Sequence, residues 1–419
     1  MSQFQTRAAP IVVIGAGIIG ACAAVSLLRD GHRVVFVDAE GPAAGASFGN
    51  AGAISPGSCV PLASPGILKD VPKWLLDKDG PLVVRASYAL QAMPWLLRFL
   101  ASSKPERFEE ICDGLFALHS VTHDCYAPIL AFADAGHLIQ KSGALTVYES
   151  EAGFAKARAG WEARGRRGIQ FEFLDTDDIQ CLVPALGRRI PHAVLQADHG
   201  YVIDPRKLVE TLVSAACAQG ATFEKGKVVG LDGRGDTVRV RLDSQREIEA
   251  SQVVVAAGAS SKPLARMLGL SLPLERQRGY HLHLPTPGLS LPLPVSFAAG
   301  KFYATPMESG VRLAGTVEFA SADAPPDFSR AQRLGQIASR WLDGLQLDGA
   351  TQWMGNRPCM PDTLPVIDRV QGHPHVILAF GHGHNGMTSA SATGRIVADL
   401  AAGRTPFMNI SPYRATRFS

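Results

Sequence analysis

Ile11-Val12-Val13-Ile14, Gly15-Ala16-Gly17-Ile18-Ile19-Gly20, an apolar run closing at Gly31, then Val34-Val35-Phe36-Val37-Asp38: this stretch decides the fold. The first four residues read as a buried strand and the glycines as a turn opening a helix. The second apolar run reads as a neighbouring strand ending on an acid. That order is a βαβ unit of the kind that holds a dinucleotide. Gly15 permits the tight turn, Gly17 lets backbone approach a pyrophosphate, and Gly20 lets helix and strand pack closely. The helix N-terminus offers unpaired N–H groups and a partial positive charge to phosphates. Asp38 lies 18 residues past Gly20, placed to accept hydrogen bonds from a ribose diol. A glycine turn serving packing alone would have no use for that acid.

Working outward, a chain of 419 residues exceeds one hydrophobic core and predicts about two domains. Its 46% hydrophobic and 19% charged residues are those of a globular protein. Lys plus Arg number 41 against 38 acids, a formal charge of +3, which argues against a nucleic-acid partner. Arg164, Arg166 and Arg167, like Arg188 and Arg189, read as solvated surface charge. The seven cysteines are odd in number and nowhere spaced C-x-x-C, so neither a metal nor a disulfide framework is expected. A reducing, cytoplasmic compartment is the expectation, since the lead into the first strand lacks the pattern of a signal peptide. Residues 81–100 are largely apolar, interrupted by Arg85 and Arg98. They read as a half-buried helix, with peripheral contact on the inner face of the cell membrane as the alternative.

Further along, Asp204-Pro205 is an N-cap followed by proline at the first helical position, and Gly220 ends that helix. Short strand-like runs follow at 222–223, 228–229, 238–240 and 253–255. The last feeds Ala256-Ala257-Gly258, a second small-residue turn that a doubly wound sheet would bring to the same crevice. Residues 272–320 are proline-rich and alternate with period two, notably Tyr280-His281-Leu282-His283-Leu284, and predict antiparallel strands of a second domain. His281 and His283 share a face, but with no third ligand in the pattern no metal is expected. Near the end, Val376-Ile377-Leu378-Ala379 reads as a strand. Gly381-His382-Gly383-His384-Asn385-Gly386 then leads into an apolar helix, again offering backbone N–H groups to an electron-rich group.

These motifs resemble the D-amino-acid oxidase superfamily of FAD enzymes, and within it the bacterial D-amino-acid dehydrogenases, over nearly the whole chain. The N-terminal unit is shared by many flavoproteins. More particular are Gly45-Ala46-Ser47-Phe48-Gly49-Asn50-Ala51-Gly52 with Ser55-Pro56-Gly57, Lys73-Trp74-Leu75 and Pro81-Leu82. At the far end stand Arg357-Pro358, Pro361-Asp362 and the run from Gly381 to Thr388. The resemblance implies an α/β fold with an α+β second domain: a Rossmann-like FAD-binding domain and a discontinuous substrate domain on a mainly antiparallel sheet. The expected division is 1–80, 204–265 and 355–419 for FAD, and 81–203 with 266–354 for substrate.

Carried over residue by residue, Gly15, Gly17, Ile19 and Gly20 would line the pyrophosphate and Asp38 the adenosine ribose. Ser47, Asn50, Ala51 and Gly52 would lie along the flavin. Val228, or Val229 if the local spacing is one residue short, would meet the adenine through backbone groups. Gly258 would approach from the second strand end. Gly383, Asn385, Gly386, Met387 and Thr388 would face the pyrimidine end of the ring. Arg357 matches the family's carboxylate-binding arginine, and Tyr280, Tyr303 and His384 are candidate substrate contacts.

Asp38 stands where relatives more often carry glutamate. Cys359 sits at the wrong offset for a covalent flavin link, so non-covalent FAD is expected. The implied reaction is oxidation of a D-amino acid, or of a cyclic secondary one such as D-proline or hydroxyproline. Hydride would leave Cα for flavin N5, with no separate catalytic side chain required, and electrons would pass to a quinone or another carrier. An oxygen-reducing oxidase of the same fold is the alternative. An RNA-modifying flavoprotein is disfavoured by the balanced charge.

Overall fold

The structure, a computed structural model, describes residues 9–66, 82–233 and 236–418. Lys73-Trp74-Leu75, and Pro81 of the Pro81-Leu82 pair, lie outside the described residues. A six-stranded sheet carries the N-terminal motif in the order Thr222–Lys225, Val34–Asp38, Ile11–Ile14, Gln252–Val255, Val376–Phe380 and Val366–Arg369. The first five strands are parallel and the last is antiparallel. Ile11 and Val13 turn to one face, Val12 and Ile14 to the other, and all four are buried. A strand covered on both faces is apolar without alternation.

One face is covered by helices Ile18–Arg29, Thr122–Ala133, Pro205–Ala218 and Gly386–Ala401. The other carries the meander Val228–Asp232, Val238–Leu242 and Glu247–Ala250, with helix Ser261–Met267. The cap expected at Asp204 is present: its Oδ1 accepts from Lys207 N–H at 3.1 Å. Parallel strands end on one edge, and the residues at or just past those ends include Gly15, Asp38, Gly258 and Gly381.

The second sheet has nine strands, in the order Thr351–Cys359, Glu275–Leu284, Gly310–Phe319, Phe302–Met307, Val295–Phe297, Ala144–Tyr148, His192–Gln196 and Glu172–Leu174, with Leu82–Val84 beside Gly310–Phe319. It is mainly antiparallel, as the period-two pattern predicts; only two of its pairings are parallel. One face packs on helix Ser329–Ala338 through Leu282, Leu284, Leu313 and Leu334. The opposite face meets the loop that follows the βαβ unit.

Two stretches depart from the sequence-based division, and a third from the single helix expected there. Helices Pro105–His119 and Thr122–Ala133, expected in the substrate domain, are tied to the C-terminal segment. Tyr126 donates to Met387 O, Ser391 to Thr122 O, and Tyr413 to Gly114 O. Residues 355–359, expected with the FAD domain, belong to the nine-stranded sheet because strand Thr351–Cys359 pairs with Glu275–Leu284. The apolar stretch 81–100 is split between strand Leu82–Val84 and helix Ala89–Ala101. Among the described residues no helix is long and apolar enough to cross a membrane.

Candidate active site

Close backbone approach dictates the glycine turn. A Cβ on Gly20 would lie 1.9 Å from Gly15 O, and one on Gly15, at φ +107°, would lie 2.4 Å from Ala256 O. Helix and two strands therefore meet with no side chain between them. A Cβ on Gly17 would stand 3.1 Å from Ser47 Oγ, and that oxygen accepts from Ile18 N–H at 3.0 Å. Ser47 thus sits at the mouth of the first helix. The N–H groups of Ile19 and Gly20 have no acceptor among the described residues, as the first turn of a helix requires.

Asp38 Oδ2 accepts from Ala16 N–H at 2.8 Å, and Oδ1 accepts from Glu40 and Gly41 N–H at 2.9 Å each. A carboxylate offers about four acceptor positions, so Asp38 clamps the turn and keeps one for a ribose hydroxyl. Gly258, at φ +54°, borders open space where a Cβ would stand. Val228 pairs with Leu242 and its side chain is buried, whereas Val229 falls in a bulge that leaves it without a ladder partner. The one-residue ambiguity of the sequence corresponds to that bulge.

The two ends of the chain meet here. Ser55 N–H donates to Thr388 Oγ1 at 3.0 Å, and Thr122 Oγ1 donates to Thr388 O at 3.1 Å. Asn50 Oδ1 accepts from Gly52 N–H at 2.8 Å, shaping the turn that carries Ala51. Asn385 begins helix Gly386–Ala401 without a side-chain cap. The N–H groups of Gly386, Met387 and Thr388 have no acceptor among the described residues. These residues fit FAD: one helix N-terminus is open to a pyrophosphate, and a second to the ring's electron-rich pyrimidine edge.

Arg357 stands on strand Thr351–Cys359. Its Nη1 donates to Thr316 O at 2.7 Å and its Nη2 to Gly315 O at 3.1 Å. A bulge accompanies these contacts: the register with Glu275–Leu284 shifts between Arg278 and Tyr280, and Thr316 adopts φ +58°. A β-branched residue is strained in that region, and Thr316 Oγ1 is buried without a partner. Gly279 makes the room, since a Cβ there would lie 2.3 Å from Arg357 Cζ. Burial lowers the guanidinium pKa, but two of its five N–H groups are bonded and the others remain for a carboxylate.

Beside it, burial lowers the His384 pKa to about 4, helped by the charges of Arg357 and His119. The His384 ring is nonetheless exposed to solvent. A ring both accessible and surrounded by protein lines a recess rather than the outer surface. Gly383 N–H donates to Pro358 O at 2.8 Å, joining this turn to the strand of Arg357.

Strand parity separates the two candidate tyrosines. Tyr280 shares a face with Arg278 and Leu282, toward helix Ser329–Ala338. Its hydroxyl donates to Glu318 Oε2 at 2.6 Å and accepts from Asp327 N–H at 3.0 Å. It is therefore a structural residue on the face away from the recess, which corrects the sequence expectation. Tyr303 lies on the opposite face with His281 and Arg312, half-exposed, across from Ser296 on the neighbouring strand.

Sequence reading missed the residues that hold the flavin-side loop from below. His281 Nδ1 bonds Gly49 O at 3.0 Å, and Arg312 Nη1 donates to Asn50 O at 2.8 Å. Trp353 stacks on His281 at 5.1 Å, and a Cβ on Gly49 would enter its ring at 2.1 Å. Period two from His281 was the available signal for that face; Arg312 and Trp353 had none. Among the described residues no cluster could hold a metal ion.

Residues 10–400 match the family model DAO, FAD dependent oxidoreductase. The chain is 36% identical to the D-amino-acid oxidase of Bradyrhizobium diazoefficiens, over 97% of this chain and 98% of that protein. It is 32% identical to the D-amino acid dehydrogenase of Paramagnetospirillum magneticum, over 98% and 99%. Among solved structures it is similar in fold to glycine oxidase from Geobacillus kaustophilus, with a TM-score of 0.75 and 20% identity over 97% of this chain and 98% of that one.

Proposed function

The chain belongs to the DAO family of FAD-dependent oxidoreductases, and from that premise we propose that it oxidises an α-amino acid to the imino acid. The substrate is a D-amino acid or a cyclic secondary one such as D-proline or hydroxyproline. FAD, when bound, supplies the hydride acceptor; the protein supplies grip, orientation and dryness. The observation carrying this reading is the Arg357 guanidinium, fixed by the Thr316 bulge beside neutral His384 where both chain ends meet.

Two parallel hydrogen bonds from Arg357 would hold the substrate carboxylate and present one face of Cα. The same cation disfavours the substrate's ammonium, so the amine sheds its proton to solvent water before Cα gives up hydride. His384, with a pKa near 4, is neutral at pH 7 and can accept a hydrogen bond from that nitrogen. The imino acid leaves the cleft and reacts with water. Arg357→Leu is expected to lower kcat/KM by on the order of a thousandfold while the flavin spectrum persists. Unchanged kinetics in that variant would remove Arg357 from the site.

Electrons pass to a quinone or another carrier in this proposal. Oxygen as acceptor is the second reading, favoured by the oxidase name of a relative at 36% identity. Peroxide formed in air, measured against anaerobic quinone reduction, separates them. FAD is held non-covalently: the Cys359 thiol is buried, and burial raises its pKa to about 12. Helix Ala89–Ala101 exposes Leu90, Met93 and Leu97 near Arg98, which supports peripheral contact with the inner face of the membrane for a cytoplasmic enzyme.

A further inference from the structure

Arg357 reaches its two carbonyls across a defect in the sheet. Arg278 pairs with Glu318 and Tyr280 with Gly315, so Gly279 alone stands opposite both Thr316 and Val317. Such a bulge breaks the ladder locally and re-aims the groups around it. From its place beside Gln277, the Arg357 side chain passes over Gly279 to Gly315 O and Thr316 O. Thr316, at φ +58° with a buried and unpartnered hydroxyl, does not favour this geometry by itself. A strained residue persists only where its surroundings over-determine it.

The surroundings that do so lie on the other face of the sheet. Glu318 is 1% exposed and Arg278 2%. Glu318 Oε1 accepts from Arg85 Nε at 2.6 Å, and Oε2 accepts from Tyr280 at 2.6 Å and from Arg278 Nη1 at 3.4 Å. The three donors flank the bulge. Arg278 precedes Gly279, Tyr280 follows it, and Arg85 follows strand Leu82–Val84, which pairs with Val317–Phe319. Both guanidinium groups are anchored in turn. Arg278 Nη2 donates to Ser321 O at 2.8 Å and Ala324 O at 2.5 Å, and Arg85 Nη2 donates to Pro325 O at 2.8 Å. A buried ion pair is a poor source of stability, since desolvation offsets much of the attraction. It does fix register: a slip of one residue would carry Glu318 to the opposite face and leave Arg278 buried without it.

Resting on the reading that Arg357 grips the substrate carboxylate, we propose that Glu318 is a positioning residue for that arginine. Clamped by Arg278 and Arg85 behind the sheet, Glu318 holds in place the bulge whose carbonyls aim the guanidinium in front. Facing away from the recess, it acts only through Arg357.

The test uses the FAD-loaded protein and two ligands, butyrate and its neutral counterpart butyramide, with binding measured by calorimetry. Glu318→Gln keeps size and hydrogen bonding but removes the charge that both guanidinium groups face. It should weaken butyrate about tenfold, leave butyramide unchanged and retain the visible flavin spectrum. In turnover, KM should rise in step while kcat moves less. In the Arg357→Leu background the same change should have no further effect on butyrate, whereas the two losses in Tm should add. Arg85→Met, at a half-buried position, should weaken butyrate about threefold. Tyr280→Phe, which spares both ion pairs, should not weaken it. Undiminished butyrate affinity in Glu318→Gln, or an equal loss when Arg357 is already absent, overturns the positioning role. If that variant fails to fold, Arg85→Met decides by the same readings. Butyrate binding that depends on Arg357, with no oxidation of any D-amino acid or cyclic secondary amino acid, overturns the amino-acid reading instead and leaves the clamp standing.

Discussion

At the edge of the parallel sheet, Gly15 and Gly20 let backbone close up, the Ile19 and Gly20 N–H groups have no acceptor among the described residues, and Gly258 borders open space. On the nine-stranded sheet, Arg357, His281, Arg312 and Tyr303 reach toward the same cleft with side chains. The first region recognises by leaving atoms out, the second by adding them. Backbone can recognise only what every residue offers, so a glycine turn suits a cofactor shared by a large family. A substrate sheet can change its preference one side chain at a time without disturbing the cradle.

Buried histidines fasten the segments around this cleft to one another. His119 bonds Ser58 O and Ser389 Oγ, His199 bonds Gly57 N–H, His281 bonds Gly49 O, and His382 bonds Thr393 Oγ1. Burial lowers their pKa values to about 4 for His119 and about 3 for the others, from 6.5. The unfolded chain therefore takes up protons that the folded one refuses, and stability falls as pH drops below 6.5. Each histidine contributes up to about 1.4 kcal/mol per pH unit in that window. Together they can remove several kcal/mol by pH 5, a large share of the roughly 5–15 kcal/mol of a typical fold. Thermal melts from pH 7.5 to 5 should show a steep decline in Tm; a flat profile would contradict the neutral joint.

Breaking the cradle comes next in size. Gly20→Val forces a branched side chain into the 1.9 Å approach to Gly15 O and should cost about 3 kcal/mol or more. The purified variant should be colourless and melt early. A yellow protein of normal Tm would show that the helix does not need this contact.

Gly279→Ala probes the substrate side alone. Its Cβ would displace Arg357 from a position 2.3 Å away, and the three atoms nearest to it all belong to that guanidinium. A shifted carboxylate grip should lower kcat/KM on the order of a hundredfold, with the visible spectrum retained.

The smallest effects come from the two tyrosines. Tyr280→Phe should lower stability by about 1–2 kcal/mol, because Glu318 and Asp327 N–H lose a buried partner. Its turnover should be unchanged. Tyr303→Phe should do the reverse, raising KM several-fold with Tm nearly constant. Reversal of that pattern would put Tyr280 on the recess after all.

Residues 11–38 determined the βαβ unit by themselves, because strand, turn, helix and acid are neighbours in sequence and each residue type has one geometric use there. The same locality made the Asp204 cap, the period-two strands of the second sheet and the Gly381 to Thr388 turn readable. The tertiary structure alone decided that Tyr280 turns away while Tyr303 turns in, and that a bulge at Thr316 turns two carbonyls toward Arg357. It alone turned Arg164 inward and joined Thr388 to Ser55. A strand shows in sequence that it alternates, but which face becomes the site depends on the partner sheet packed against it. Here Gly49 and Asn50 meet His281 and Arg312 from far away in sequence, beyond the reach of any local pattern.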